Sequence, residues 1–539
     1  MPGTARASQA WENLPGTAKP ADGNSAVCRA AGHYEKRERK KKMRASGILM
    51  PVFSLPGKYG IGCFSEEAYR FVDFLEKAGQ KYWQILPLGP TGYGDSPYQS
   101  FSVFAGNPYF IDPEALRKKG LLEEEELREL DTEGKDSRVD YGWIYEHRLA
   151  ILKKAFVRWK TAEDPDFSGF LQKTSCWLED YALFMAEKDA HGGKAFCEWE
   201  DDIRFRNPEA LEREKKTRKE EILFYEFLQY EFMREWEALK NYANAHGIQI
   251  IGDIPIYVAP DSADFWANPS LFQTDEKNLP SAVAGVPPDG FSADGQLWGN
   301  PLYDWEEHRR TGYSWWVMRM RRCVEFYDVV RIDHFRGFDE YYSVKAGEKT
   351  AAGGVWKKGP GLELFQTLRK EIGHVSIIAE DLGYITDSVR KLVKDTGYPN
   401  MRVFEFGFDS RDSSGRWTYL PFNYISNCVV YTGTHDNETL AGWMDNIMPT
   451  EMQELMDYVG YFGDSKEELV DQIIRVVEGS VADLCMIPLQ DWLHLDNTAR
   501  INHPSTTGKN WTWRVSGDQI TDELADKIRR MTNIYGRKS

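Results

Sequence analysis

A chain of 539 residues, 42% of them hydrophobic and 28% charged, is large enough for one α/β domain with insertions or for two or three domains. Its 84 acids against 67 bases give a net charge of −17, which repels phosphate backbones and argues against nucleic acid as a partner; no apolar run nears the ~18 residues of a membrane span. Seven scattered cysteines without CxxC spacing speak against disulfides and zinc and for a reducing, cytoplasmic compartment.

Residues 1–44 are rich in Ala, Gly, Pro and Ser and close on the basic run Lys36-Arg37-Glu38-Arg39-Lys40-Lys41-Lys42-Met43-Arg44. They lack the apolar centre of a secretory signal, and Glu12, Asp22, Glu35 and Glu38 suit an organelle transit peptide poorly. They read as a disordered extension whose basic run is solvated. From Ser46 onward, short apolar strands alternate with amphipathic helices. A helix starts at Ser65-Glu66-Glu67 and stops at Gly79, and a strand follows at residues 83–88. Asn207-Pro208 opens a single very long helix that runs to Gly247. Further strands are predicted at 248–258, 327–333, 375–380, 401–408, 428–436 and 484–489, with helices at 362–373 and 386–397. Most of these strands are continuous apolar runs, as expected of strands covered on both faces, so the sheet should be mainly parallel.

Repeated units of this kind predict an α/β fold, a closed (β/α)8 TIM barrel, with an open doubly wound sheet as the competing architecture. Two stretches exceed a minimal connection. Residues 113–247 are mostly charged helix and read as an inserted helical subdomain within a catalytic barrel of 45–539. Residues 259–310 are long and irregular, with Pro287-Pro288-Asp289-Gly290-Phe291 and Gly295-Gln296-Leu297-Trp298-Gly299-Asn300-Pro301. Long loops of this sort over the C-terminal face of a barrel act as lids.

Three predicted strands deliver an acid directly after an apolar run: Asp333, Glu380 and Asp436. Catalytic groups of a barrel converge from such strand ends. Arg331, two residues before Asp333, shares its face and should hold that carboxylate ionised, below the usual range. Cleavage of a glycosidic bond with retention needs one ionised carboxylate as nucleophile and one protonated carboxyl as acid/base. Asp333 suits the first role, and Glu380, raised by burial, the second. Asp436 would hydrogen-bond sugar hydroxyls, with His435 beside it. A lone strand-end Asp is more often a helix cap, and Asp381 and Asp387 are read as caps. Aromatic residues at 14%, including 18 Trp, are mainly core pieces, with a few suited to stacking on pyranose faces. The same acids would serve an α-glucan hydrolase, and a silent glucan-binding protein on the same barrel would lack one of them.

The segments Gly252-Asp253-Ile254-Pro255, Arg331-Ile332-Asp333-His334, Ala379-Glu380-Asp381-Leu382-Gly383 and Thr434-His435-Asp436-Asn437 resemble the four conserved regions of α-amylase-type barrel enzymes. In this order, the whole set is most similar to the 4-α-glucanotransferases (amylomaltases, or disproportionating enzymes). Gly47-Ile48-Leu49-Met50-Pro51, Trp83-Gln84-Ile85-Leu86-Pro87, Asp95-Ser96-Pro97-Tyr98-Gln99-Ser100 and Asn510-Trp511-Thr512-Trp513-Arg514 add family-specific matches. The resemblance runs from Ser46 to the end and departs at Ser505, where many relatives carry Gly. It implies an intracellular enzyme that moves α-1,4-glucan segments between maltooligosaccharides by double displacement. It further implies Asp333 as nucleophile, Glu380 as acid/base and Asp436 as transition-state stabiliser. Tyr98, Asp253, Arg331 and His435 match contacts to the sugar at the cleaved position, Asp289 and Trp298 the lid, and Asn502 a second loop. No metal or organic cofactor is implied, and the expected assembly is a monomer or weak homo-oligomer.

Overall fold

A computed structural model of the chain describes residues 44–92, 94–132, 137–162, 164–288, 294–410 and 416–538. Eight strands close a parallel barrel: β1 (Ala45–Leu49), β2 (Tyr82–Gln84), β3 (Gln249–Ile254), β4 (Val329–Ile332), β5 (Ile377–Ala379), β6 (Asn400–Val403), β7 (Cys428–Tyr431) and β8 (Leu484–Pro488). Each pairs in parallel with its chain neighbours, and β8 pairs with β1 from Leu484↔Ala45 to Pro488↔Leu49, which rules out the open sheet.

Seven of these strands fall on predicted apolar runs. The exception, β1, reads Ala-Ser-Gly-Ile-Leu, too short and too polar to register as a run. Its Gly47 is fixed by packing, because a Cβ there would lie 2.5 Å from the Tyr82 carbonyl oxygen and 2.7 Å from Met486 Sδ. Several strands end earlier than the runs predict. β4 stops at Ile332, β5 at Ala379 and β7 at Tyr431, so Asp333, Glu380 and Asp436 stand in the turns just beyond.

Helix α1 (Glu66–Lys77) follows Ser65, and Gly79 behind it adopts φ +70°. The single helix expected from Asn207 to Gly247 is two. Asn207 caps α2 (Pro208–Thr217), and α3 (Lys219–Ala245) follows after Arg218 leaves helical geometry at φ −108°, ψ 27°. At that point the Arg218 guanidinium reaches the buried Glu187 carboxylate, Nε to Oε1 2.6 Å. Helix α3 then lies along the barrel wall: Tyr242 packs edge-on against Tyr69 of α1, and the Trp236 indole donates to the Phe326 carbonyl oxygen.

The segment expected to be irregular, 259–310, carries strands at Ala282–Val286 and Gln296–Pro301. They join Glu340–Lys345 and Val355–Lys358 in a four-stranded sheet whose pairs are antiparallel. A register shift between Val283 and Gly285, and the surrounding Gly and Pro, hide the alternation that would reveal them. Thr386, not Asp387, caps the helix Asp387–Thr396. Asp381 is no cap either; it is buried and accepts from Met401 N and Asn400 Nδ2 at the start of β6. The basic extension lies outside the described residues except for Arg44, which is not merely solvated: its guanidinium donates to the carbonyls of Tyr535 and Glu478. Trp83, Trp236, Trp266, Trp316, Trp443 and Trp492 are fully buried core pieces. Among the described residues no helix is long and apolar enough to cross a membrane.

Candidate active site

The parallel register sets Asp253 of β3 beside Arg331 of β4. Alternate residues of a strand point the same way, so Arg331 and Asp333 project to one side. Asp253 is fully buried, and its Oδ2 accepts from Arg331 Nη1 at 2.6 Å and from the Tyr98 hydroxyl at 3.0 Å. The same Nη1 donates to Asp333 Oδ1 at 3.1 Å, while Arg331 Nε faces Met401 Sδ at 3.4 Å. One guanidinium nitrogen thus serves two carboxylates. Asp333 is anchored by its own N–H on the Ile254 carbonyl, 2.9 Å, and keeps 31% of its side chain exposed.

Glu380 follows β5 directly and donates its N–H to the Ile332 carbonyl, 3.2 Å. Its carboxyl accepts from two backbone donors, His334 N to Oε2 at 2.6 Å and Leu382 N to Oε1 at 2.7 Å. His334 takes a left-handed φ of +51°, uncommon for a residue with a side chain, in the turn that directs its N–H to Glu380. The half-buried His334 imidazole, pushed down to about 3 by desolvation, stays neutral. Trp298, on the strand Gln296–Pro301, packs edge-on against it with ring centroids 4.7 Å apart.

Asp436 sits in a turn closed by Asn437, whose Oδ1 accepts from Thr434 N and Oγ1 at 2.9 and 2.8 Å. Asn502 Nδ2 donates to Asp436 Oδ1 at 2.6 Å, and Arg500 Nη2 to the Asp436 carbonyl at 2.7 Å. The Asp436 side chain remains 42% exposed. His435 is buried, its ring stacked on Tyr98 at 5.2 Å and flanked by Trp511 at 6.0 Å. Burial lowers the His435 pKa, which favours the neutral ring.

Arg331 does not hold Asp333 low, contrary to the sequence expectation. Burial pushes the Asp333 carboxyl well above the usual carboxylate range against the pull of Arg331, and Glu380, Asp253 and Asp436 add like charge. The guanidinium also pairs with Asp253, whose own negative charge acts on Asp333 against the pull of Arg331. Burial also raises Glu380, against Arg331 and its two backbone donors. Both acids are thus shifted toward the protonated form, and they titrate as a coupled pair.

Asp333 therefore stands within electrostatic range of both Glu380 and Asp436, with Tyr98, Asp253, Arg331, His435 and Asn502 bonded or stacked around these acids and Trp298 against His334. Asp289 lies outside the described residues. Sequence reasoning assigned no role to Met401, Arg500 or Trp511. The first is an ordinary apolar strand residue by pattern, and the other two meet the site from loops remote in sequence. Among the described residues no group of three or more His, Cys, Asp or Glu is arranged to hold a metal. A cavity of about 950 Å³ is lined by Tyr59, Arg70, Asp112, Arg117 and Asp522 and includes none of the site residues.

A family model described as 4-alpha-glucanotransferase matches residues 50–521. The chain is 49% identical over 490 residues to the 4-alpha-glucanotransferase of Clostridium butyricum, spanning 90% of this chain and 100% of that one. It is 45% identical over 503 residues to that of Thermus thermophilus, spanning 92% and 99%. Among solved structures, the amylomaltase from Streptococcus agalactiae in complex with acarbose superposes with a TM-score of 0.88 at 41% identity, covering 92% of this chain and 100% of that one.

Proposed function

The chain belongs to the 4-alpha-glucanotransferase family, and on that premise we propose that Asp333, Glu380 and Asp436 carry its transfer of α-1,4-glucan segments between maltooligosaccharides or to glucose. In the first displacement an Asp333 carboxylate oxygen attacks the anomeric carbon while Glu380 protonates the departing glycosidic oxygen. The glycosidic bond breaks, a glycosyl–Asp333 ester forms and the released chain leaves with a hydroxyl. In the second, the Glu380 carboxylate takes the proton from the 4-hydroxyl of an acceptor sugar, whose oxygen attacks the same carbon and frees Asp333. Configuration is retained because the carbon is inverted twice.

The observation that carries this reading is the distribution of donors over the two acids. Asp333 accepts from Arg331, and Glu380 accepts from two backbone N–H groups. Each carboxyl therefore has fixed partners for its ionised state, and those on Glu380 are in place as negative charge develops on it during proton donation. Asp436, held by Asn502 and partly open, hydrogen-bonds sugar hydroxyls and favours the oxocarbenium-like state. Tyr98, Asp253, Arg331 and His435 hold the sugar at the cleaved position. The small sheet bearing Trp298 covers the cleft and favours a positioned acceptor hydroxyl over water.

Incubation with maltotriose tests the reading. Glucose together with a ladder of longer maltooligosaccharides, both lost in Asp333→Ala, is the expected result. Shortened products alone would contradict transfer, and a ladder that survives Asp333→Ala would contradict the assignment.

A further inference from the structure

Behind the turn that carries Asp436 lies a carboxyl that the reaction does not use. Glu405 opens the short 3-10 turn Glu405–Gly407 beyond β6 and is 2% exposed. Its backbone is tied to the start of the Asp436 turn, since Phe404 N donates to the Tyr431 carbonyl and Glu405 N to the Thr432 carbonyl, 2.9 and 3.3 Å. The side chain then reaches under that turn. A Cβ built on Gly433 would lie 2.9 Å from Glu405 Oε1 and 3.0 Å from Asn437 Cβ. Gly433 is not among the residues with positive φ, so the missing side chain makes room for the carboxyl and does not relieve the backbone.

The setting cannot stabilise a charge on this group. Oε1 is fully buried and has no hydrogen-bond partner among the described residues. Among the described residues the main charges acting on Glu405 are Asp491, Glu438 and Asp409, opposed by Arg500. A carboxylate oxygen buried without a partner beside three further acids is costly to charge, which favours the protonated form. Burial accordingly pushes Glu405 well above the usual carboxylate range. By contrast, Asp491, which also faces the turn, has both oxygens occupied, by Thr432 Oγ1 at 2.6 Å and Leu440 N at 2.8 Å.

We propose that Glu405 is a positioning residue: its carboxyl props the Asp436 turn through Gly433 and so fixes where Asp436 meets the sugar. It touches no substrate atom. The inference rests on the role assigned to Asp436 above. Without the prop the turn settles toward the space the carboxyl filled, which displaces Asp436 while Tyr98, Asp253 and Arg331 keep their grip on the sugar. Loss should therefore fall on kcat and not on KM.

The test compares Glu405→Gln, Glu405→Ala and Asp436→Asn in maltotriose disproportionation, with thermal unfolding of each. E405Q keeps shape and neutrality and should remain within about twofold of the parent; E405A should lose about ten- to a hundredfold in kcat at unchanged KM, the scale of a small misplacement of a catalytic group. If E405A does not fold, Gly433→Ala takes its place, because its methyl would meet the carboxyl at 2.9 Å, and the same kcat loss is expected. Unchanged kcat in the folded variant, or an E405Q as impaired as E405A, overturns the inference. Full activity in Asp436→Asn would instead sink the assignment beneath it, whereas an inactive D436N beside a fully active E405A sinks only the role of Glu405.

Discussion

Two of the barrel's buried arginine–carboxylate clusters are built to different ends. At the N-terminal end of β1, Ser46 Oγ donates to Glu478, at 2.9 Å from Oε1 and 2.8 Å from Oε2, and Arg537 Nε lies 3.0 Å from Oε2. Every guanidinium nitrogen of Arg537 finds an acceptor: Nε the Glu478 carbonyl, Nη1 that of Ala45 and Nη2 that of Ser480. The polar side-chain atoms of Glu478 and Arg537 are thus all occupied by protein, and the pair ties residue 537 to the seam between β1 and β8. At the other end of the barrel, Arg331 is divided between Asp253 and Asp333, Asp253 Oδ1 has no partner, and Asp333 and Asp436 stay partly exposed. The residue types are the same. What separates a structural cluster from a chemical one is whether its polar atoms are already spent on protein.

Variants at the two ends should fail in opposite ways. The largest effect is expected for Asp333→Ala, with turnover reduced about 10⁴-fold or more and the melting temperature little changed, since removing one of several mutually repelling acids leaves Arg331 paired with Asp253. Collapse of stability in that variant would erase the distinction. Arg537→Ala should do the reverse: about 3–5 kcal/mol of stability is lost when a buried carboxylate is stripped of its partner, while kcat of the folded fraction is unchanged, as chemical denaturation beside steady-state kinetics would read. The smallest effect concerns pH. Burial raises Glu478 from 4.5 to about 7, so the folded protein binds this proton more tightly than the unfolded chain. The resulting stability is full below about 4.5 and declines as pH rises to about 7. Glu478→Gln should flatten the melting temperature over that window; an unaltered slope would mean that Glu478 does not titrate there.

Much of the candidate site was legible in the sequence, because an acid that follows a continuous apolar run has few places to go in a parallel barrel. Asp333, Glu380 and Asp436 emerge from the strands that the pattern marks, and Arg331 follows from its two-residue spacing. The upward shift of Asp333 was not legible, since it depends first on burial and then on Glu380 and Asp253, acids that the fold brings beside it from distant parts of the chain. The closed cluster left no trace either: Ser46, Glu478 and Arg537 belong to no motif, and β1 is too short and polar to announce the seam they fasten. The break at Arg218 was hidden because a helical pattern continues on both sides, and only the buried Glu187 explains it. Glu405 read as one residue of an apolar strand that in fact had already ended.

The central claim is that Asp333 bonds to the sugar while Glu380 manages the proton. Its most direct test is intact-protein and peptide mass spectrometry of Glu380→Gln incubated with an α-maltosyl fluoride, whose leaving group needs no acid. With the acceptor no longer deprotonated, the ester should accumulate as a single maltosyl adduct on the peptide containing Asp333. No adduct despite fluoride release, or an adduct on Asp253 or Asp436, would contradict the account.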